Sequence, residues 1–235
     1  MCGIHLDRQD PFAEVDLWVN YRMQETPQNL VNRAFGRHDI TLHIDDGCMG
    51  RGGSIPHIDP NTTSAFDRNT VLTDVGMNGD VIVGDTSRTD TLYGLYFTDD
   101  RKGIFHYSVI AHYGERGQDG TNPGPQFFSD CFFICDQQIK DTLEAIPDNR
   151  GYDEAFAYVF MHELGHGLLL RHLPDNNLMI DGDSNTKPDY IDTCMYQNLV
   201  PEPIIDYRDH VNPKGYPNEW ETMSLSAILE LAQMT

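Results

Sequence analysis

The pattern of apolar and polar positions divides the chain into short apolar runs separated by loops rich in Asp, Gly, Asn and Pro. Four of these runs contain β-branched or aromatic residues and are bounded by turn residues, which is typical of strands. They are residues 40–44, 80–85, 103–113 and 127–135. In the third run both alternate faces carry large apolar groups, which predicts a strand that is covered on both sides.

Two further segments have the periodicity of a helix. Residues 153–170 begin with acidic residues and contain no proline, which favours a helix. Residues 219–234 place apolar side chains along one stripe, which predicts a C-terminal helix that packs on the core. The chain has no internal repeat and no low-complexity linker, so we predict one α+β domain over residues 1–235.

The amino-acid composition limits the classes of partner that the protein is expected to bind. The 235 residues include 39% hydrophobic residues, eleven Phe and eleven Tyr, so the acidic composition does not predict disorder. A net charge of −21 penalises binding to nucleic acid or to an anionic membrane surface and favours cationic ions or substrates. No segment approaches the roughly 20 apolar residues that span a bilayer. We therefore expect no nucleic-acid partner and no transmembrane segment.

The first residues and the cysteines give information about the cellular compartment of the protein. The start, MCGIHLDRQD, lacks the basic and apolar regions of a signal peptide, so we expect a mature form of a secreted or extracytoplasmic protein. Among five cysteines, Cys131 and Cys135 are near enough in sequence to pair in a suitable geometry. The cysteine count leaves either redox compartment open, and no pattern predicts the oligomeric state.

The most informative stretch is HELGHGLLLRH, at residues 162–172. At about 100° per residue, His162 and His166 are about 40° apart around a helix, so both imidazoles project from one face. Glu163 points aside, where its carboxylate can act as a general base beside a metal. Catalytic zinc takes three protein ligands and keeps one position open, so a third ligand is expected.

His172 is the candidate for that third ligand. In a continuous helix it would be rotated roughly 240° from His166, so the chain must turn before it. Gly165 and Gly167 weaken the helix, and Pro174 cannot continue it. We therefore predict a helix end near residues 168–170 and a site of three histidines.

This stretch resembles the signature H-E-x-x-H-x-x-G-x-x-H of the metzincin zinc peptidases, with His162, Glu163, His166 and His172 in register. Leu169 stands where the signature has glycine, which provides a tight turn in a conformation that a Cβ atom disfavours. Leucine there costs about 1 kcal/mol or more unless the turn uses another geometry. The resemblance implies that the three histidines hold Zn²⁺ and that Glu163 is the general base and acid in peptide-bond hydrolysis.

A second stretch, NTKPDYIDTCMYQ at residues 185–197, resembles the K-P-x-Y…M-x-Y-x-x-Q stretch of a bacterial and archaeal metzincin-like group. It implies that Met195 is the methionine of the turn beneath the metal. It also implies that Tyr196 donates a hydrogen bond to a substrate carbonyl or tetrahedral oxyanion. Aligning the tyrosines instead puts Cys194 in the place of the methionine, and Met179 is a second candidate for it. The resemblance covers roughly residues 90–208.

The resemblance also implies a fold and a function. The fold is a twisted mixed sheet of four or five strands with an active-site helix, in an upper lobe of about residues 1–168. A smaller irregular lower lobe, about residues 169–235, ends in a helix. The implied function is a zinc-dependent endopeptidase that acts on protein or peptide substrates. The alternative is a non-catalytic binding protein that retains zinc, because Leu169 replaces the signature glycine.

An acidic run, DGDSNTKPDYID at residues 181–192, raises the question of a second ion. Asp181 and Asp183 are spaced as in the first half of a calcium-binding loop, but Thr186 stands where such a loop requires glycine. A solvated loop is the favoured interpretation, and a Ca²⁺ site of another form is the alternative.

Overall fold

A computed structural model describes residues 12–18, 23–46, 54–55, 97–101, 105–111, 120–121, 131–145, 151–172, 193–195, 204–211 and 216–223. The strands are β1 (Phe12–Trp18), β2 (His43–Asp45), β3 (Ser54–Ile55), β4 (Phe105–Ala111), β5 (Gly120–Thr121) and β6 (Cys131–Cys135). The helices are α1 (Glu25–Gly36), α2 (Asp136–Ala145) and α3 (Tyr152–Gly167).

The strands form one mixed sheet in the order β2-β1-β4-β6-β5, and β3 also pairs with β1. Pairing is parallel throughout, except that β5 runs antiparallel to β6 at the edge of the sheet. In β4 the adjacent residues Tyr107 and Ser108 are both fully buried, as is Ile110. Since adjacent residues of a strand point to opposite faces, β4 is covered on both sides, as its sequence predicts.

Helix α3 is the central helix of the described structure. Its first turn carries Asp153 and Glu154, which suit the positive end of the helix dipole. Every residue from 155 to 165 is buried, so this helix has no solvent-facing side over most of its length. It contacts α1, α2, β6 and β5. His162 and His166 therefore lie on the most enclosed of the described helices.

Three later segments, residues 193–195, 204–211 and 216–223, join the same core. Tyr207 and Trp220 pack edge-on against Phe35 of α1, with ring centroids 6.0 and 5.1 Å from that of Phe35. The Arg37 side chain, just after α1, donates two hydrogen bonds to Asp206, at 3.1 and 2.5 Å. Segment 204–211 is thereby fixed to the end of α1.

The strand and helix predictions agree with the structure in part. Strand β4 occupies residues 105–111 of the predicted run 103–113, and β6 occupies residues 131–135 of the predicted run 127–135. The remaining residues of both runs lie outside the described part of the chain. The first predicted strand is displaced, since β2 begins at His43 rather than at residue 40. Helix α3 spans residues 152–167, so it begins one residue before and ends three residues before the expected helix 153–170. Residues 219–223 are helical, whereas the rest of the predicted C-terminal helix and the run 80–85 lie outside the described residues.

The structure contains elements that the sequence patterns did not predict, and it does not support one expected disulfide. The sequence patterns did not predict β1, α1 or α2. The pairing of Cys131 with Cys135 lacks the geometry that it requires, because both lie in β6 and four residue steps along a strand place their Cα atoms about 13 Å apart. None of the described helices is both long and apolar enough to cross a bilayer.

Candidate metal centre

Helix α3 ends directly before the third histidine. The Leu170 N–H donates to the Gly165 carbonyl at 2.8 Å, and the Leu169 N–H donates to the His166 carbonyl at 3.0 Å. These two bonds define a Schellman motif, in which the residue after the C-cap takes a left-handed conformation. The chain therefore leaves the helix axis after Gly167, where the sequence indicates a stop.

Leu169 is the residue in the left-handed conformation, with a φ of 68°. A β-carbon disfavours this region by about 1–2 kcal/mol, so the leucine adopts the glycine geometry at a cost rather than avoiding it. Leu170, which follows, is 3% exposed and belongs to the hydrophobic core. The turn is thus anchored by an apolar contact, and His172 follows two residues later.

The turn brings the three predicted histidines together. The Nε2 atom of His172 lies 2.9 Å from His162 Nε2 and 2.9 Å from His166 Nε2. Among the described residues, these three form the group of His, Cys, Asp or Glu side chains that could hold a metal ion. Two imidazoles therefore project from the helix and a turn brings the third imidazole to them, as the helical rotation per residue predicts.

Backbone carbonyls fix the tautomer of the two helical imidazoles, that is, which ring nitrogen carries the proton. His162 Nδ1 lies 2.7 Å from the Cys194 carbonyl oxygen, and His166 Nδ1 lies 2.9 Å from the Leu170 carbonyl oxygen. A carbonyl can only accept, so in both rings Nδ1 carries the proton and Nε2 keeps its lone pair. Both lone pairs then face His172.

The environment keeps the cluster uncharged at neutral pH. Burial, and then the nearby His166 ring, lowers the pKa of His162 to about 3. Burial also lowers the pKa of His166. His172 is exposed on its outer side, but desolvation toward the cluster and the proximity of His166 lower its pKa to about 4. Neutral imidazole is the form that binds metal ions.

The donor set fits a divalent transition metal. One proton on His172 Nε2 cannot point at two acceptors at once, whereas a central cation interacts with all three lone pairs. The 2.9 Å separations from His172 are close to the about 3.3 Å expected for nitrogens bound at about 2.0–2.1 Å to one tetrahedral ion. Imidazole nitrogen suits Zn, Cu, Fe and Ni rather than Mg or Ca.

Glu163 follows His162 in α3 and is 5% exposed. A buried carboxylate next to a histidine of this cluster is suited to accept a proton from water. The described structure therefore places the predicted general base on the same buried helix as two of the three histidines.

Met195 packs beneath this helix. A Cβ atom at Gly165 would lie 2.4 Å from Met195 Sδ and 2.9 Å from Tyr207 Cε1, so only glycine fits between them. The Tyr207 hydroxyl donates to the Met161 carbonyl of α3 at 2.6 Å. Cys194, the other residue that an alignment can put in the methionine's place, contributes its carbonyl to His162 and keeps a buried thiol. Burial raises the pKa of that thiol well above its ordinary value.

Several predicted residues lie outside the described part of the chain. They are Tyr196, Met179 and the acidic run 181–192. Conversely, the carbonyls of Leu170 and Cys194 and the Tyr207 hydroxyl were not predicted from the sequence. Main-chain acceptors have no residue-type signal, and Tyr207 is distant from the motif in sequence.

Comparison with known proteins assigns this chain to no family, because no family model and no curated protein sequence matches it. Its membership of the metzincins therefore stays a prediction, as do the two-lobe boundaries.

Proposed function

We propose that this protein is a zinc-dependent endopeptidase in which His162, His166 and His172 hold the ion and Glu163 is the general base. The observation that supports this most is that the Nε2 atoms of His162 and His166 both lie 2.9 Å from His172 Nε2. Two of the imidazoles are held by backbone carbonyls, an arrangement that fixes the ring orientation of metal ligands.

Each residue has a distinct task in the proposed reaction. Zn²⁺, when bound, polarises a substrate carbonyl and lowers the pKa of a water molecule to about 7. Glu163 accepts a proton from the attacking water and later donates it to the leaving amine. Burial keeps His162 and His166 neutral, and because their Nδ1–H groups bond to carbonyls, each Nε2 lone pair remains available for the ion. No covalent bond to the protein is required.

Peptides are the proposed substrates. The antiparallel strand β5 lies at the edge of the sheet and contacts α3, so an extended peptide added to that edge would run past the helix that carries the histidines. Such a peptide gains main-chain hydrogen bonds from the strand. The net charge of −21 favours substrates with basic residues.

The test combines metal content with hydrolysis. We expect one Zn²⁺ per chain and cleavage of a peptide library, with Glu163→Gln retaining the ion and losing about 10²–10⁴-fold in kcat. Glu154→Gln, in the first turn of the same helix, is the matched control and is expected to keep full activity. If the zinc-loaded wild type cleaves no peptide, the proposal is wrong and the non-catalytic zinc-binding protein replaces it.

A further inference from the structure

The turn at residues 193–195 is held by a side-chain hydroxyl. The Met195 N–H donates to Thr193 Oγ1 at 3.0 Å, which closes a local turn in which a threonine oxygen takes the role of a carbonyl. Thr193 is fully buried. Its hydroxyl proton is directed away from the turn, toward the carboxylate of Glu219.

Glu219 is a buried anion whose partners lie in two other segments. It is 5% exposed, and its Oε2 atom accepts both the Thr193 hydroxyl and the Arg208 N–H, the latter at 2.8 Å. The Arg208 guanidinium, itself 1% exposed, lies 3.4 Å from Oε1 of Glu219. A buried ion pair with additional hydrogen bonds has a defined geometry, because each unsatisfied group would cost desolvation energy.

The same turn presents the acceptor for a metal-site histidine. Between Thr193 and Met195, the Cys194 N–H donates to the Asp206 carbonyl at 2.7 Å, and the Cys194 carbonyl accepts from His162 Nδ1 at 2.7 Å. The peptide groups of residue 194 are therefore held from both sides. A shift of the turn would move the oxygen that orients the His162 ring.

We infer that Thr193, anchored by Glu219, is a positioning residue for the metal centre: the hydroxyl holds the turn that aims the Cys194 carbonyl at His162. The chain of contacts runs from a carboxylate far along the sequence to a ring nitrogen in α3. This inference rests on the proposed zinc site but requires no catalysis by it.

The test measures metal affinity with full-length protein and zinc alone. Thr193→Val removes the hydroxyl and keeps the side-chain shape, whereas Thr193→Ser keeps the hydroxyl. We expect Thr193→Val to weaken zinc binding at least about 10-fold in competition with a chromophoric chelator, the lower end of the effect of losing an outer-sphere contact. Thr193→Ser should bind zinc close to the wild-type affinity. The Co²⁺ absorption spectrum should change in the valine variant and not in the serine variant.

Three results would overturn the inference. They are wild-type affinity in Thr193→Val, an equal loss in the valine and serine variants, and a wild-type chain that binds no zinc. If metal-free Thr193→Val is unfolded at the assay temperature, Glu219→Gln takes its place, with the same expected loss and with unchanged affinity as the contrary result. A wild type that binds zinc but cleaves no peptide removes the proposed hydrolysis and leaves this inference intact.

Discussion

Met195 and Gly165 fit together so closely that a methyl group on residue 165 would lie 2.4 Å from the methionine sulfur. The glycine is therefore required by packing in the last turn of α3, although glycine within a helix is less favourable than alanine by up to about 1 kcal/mol. The contact joins the turn at residues 193–195 to the helix that carries His162 and His166.

Gly165→Ala should destabilise the protein despite the better helix propensity of alanine. Overpacking of a filled core typically costs about 1–3 kcal/mol, and both Met195 Sδ and Tyr207 would have to move. Chemical denaturation of the metal-free protein measures the change. Gly36→Ala at the end of α1 is the control, because a Cβ there meets nothing within 4 Å. Equal stability changes in the two variants would contradict the packing argument.

Leu169→Gly should stabilise the protein by about 1 kcal/mol, because it removes a β-carbon from a left-handed residue. The midpoint of thermal unfolding is expected to rise by about 2–4 °C for a chain of this size. Leu168→Gly is the matched control, since Leu168 has a φ of −86° and gains nothing from glycine. An equal decrease of the unfolding midpoint in both glycine variants would contradict this prediction.

The metal-free protein should become less stable as pH falls below 6.5. The pKa of His162 is about 3 in the folded state, against 6.5 when unfolded, so the unfolded chain takes up the proton first. The stability from keeping this ring neutral is complete above pH 6.5 and is lost progressively toward pH 3. Urea unfolding between pH 4 and pH 7 in the presence of a chelator measures the slope.

The control for that slope is His162→Asn, which keeps an N–H donor for the Cys194 carbonyl but does not titrate. Its stability should depend less steeply on pH than that of the wild type over the same interval. Parallel pH profiles of the two proteins would show that His162 is not the group responsible.

Zinc should stabilise the wild type much more than His172→Gln. At 100-fold excess over the dissociation constant, a ligand that binds only the folded state adds about 2.7 kcal/mol to the free energy of unfolding. Loss of His172 removes the nitrogen that faces both helical imidazoles, so most of this gain should vanish. His210→Gln, an exposed histidine that pairs with Asp209, should respond to zinc like the wild type. An unchanged zinc response in His172→Gln would exclude His172 as a ligand.

The sequence predicts the parts of this centre that depend on local periodicity. Helical spacing gives the alignment of His162 with His166, and two glycines followed by a proline indicate where α3 ends. Residue type does not predict the conformation of Leu169, because a residue that disfavours the left-handed region nevertheless adopts it here. The Schellman hydrogen bonds and the burial of Leu170 hold that geometry, and neither has a signature in residue type.

Contacts between distant segments could not be predicted in the same way. The interaction of Glu219 with Thr193 joins residues separated by 26 positions, and that of Arg37 with Asp206 joins residues separated by 169. Helix α1 was missed because Pro27 and several polar residues interrupt its apolar stripe. Proline is nevertheless compatible with the first turn of a helix, where Pro27 lies.

The two carbonyls that accept from His162 and His166 belong to the main chain. Every amino acid supplies the same oxygen, so the side chains at positions 170 and 194 affect the orientation of these rings only through the path of the backbone. Cys194→Ser or Cys194→Ala would leave that acceptor in place, and oxidation chemistry at the sulfur is not needed to aim the imidazole. Substitutions at position 194 should therefore leave the rings aligned, whereas position 170 should still require an apolar side chain, because the burial of Leu170 anchors the turn.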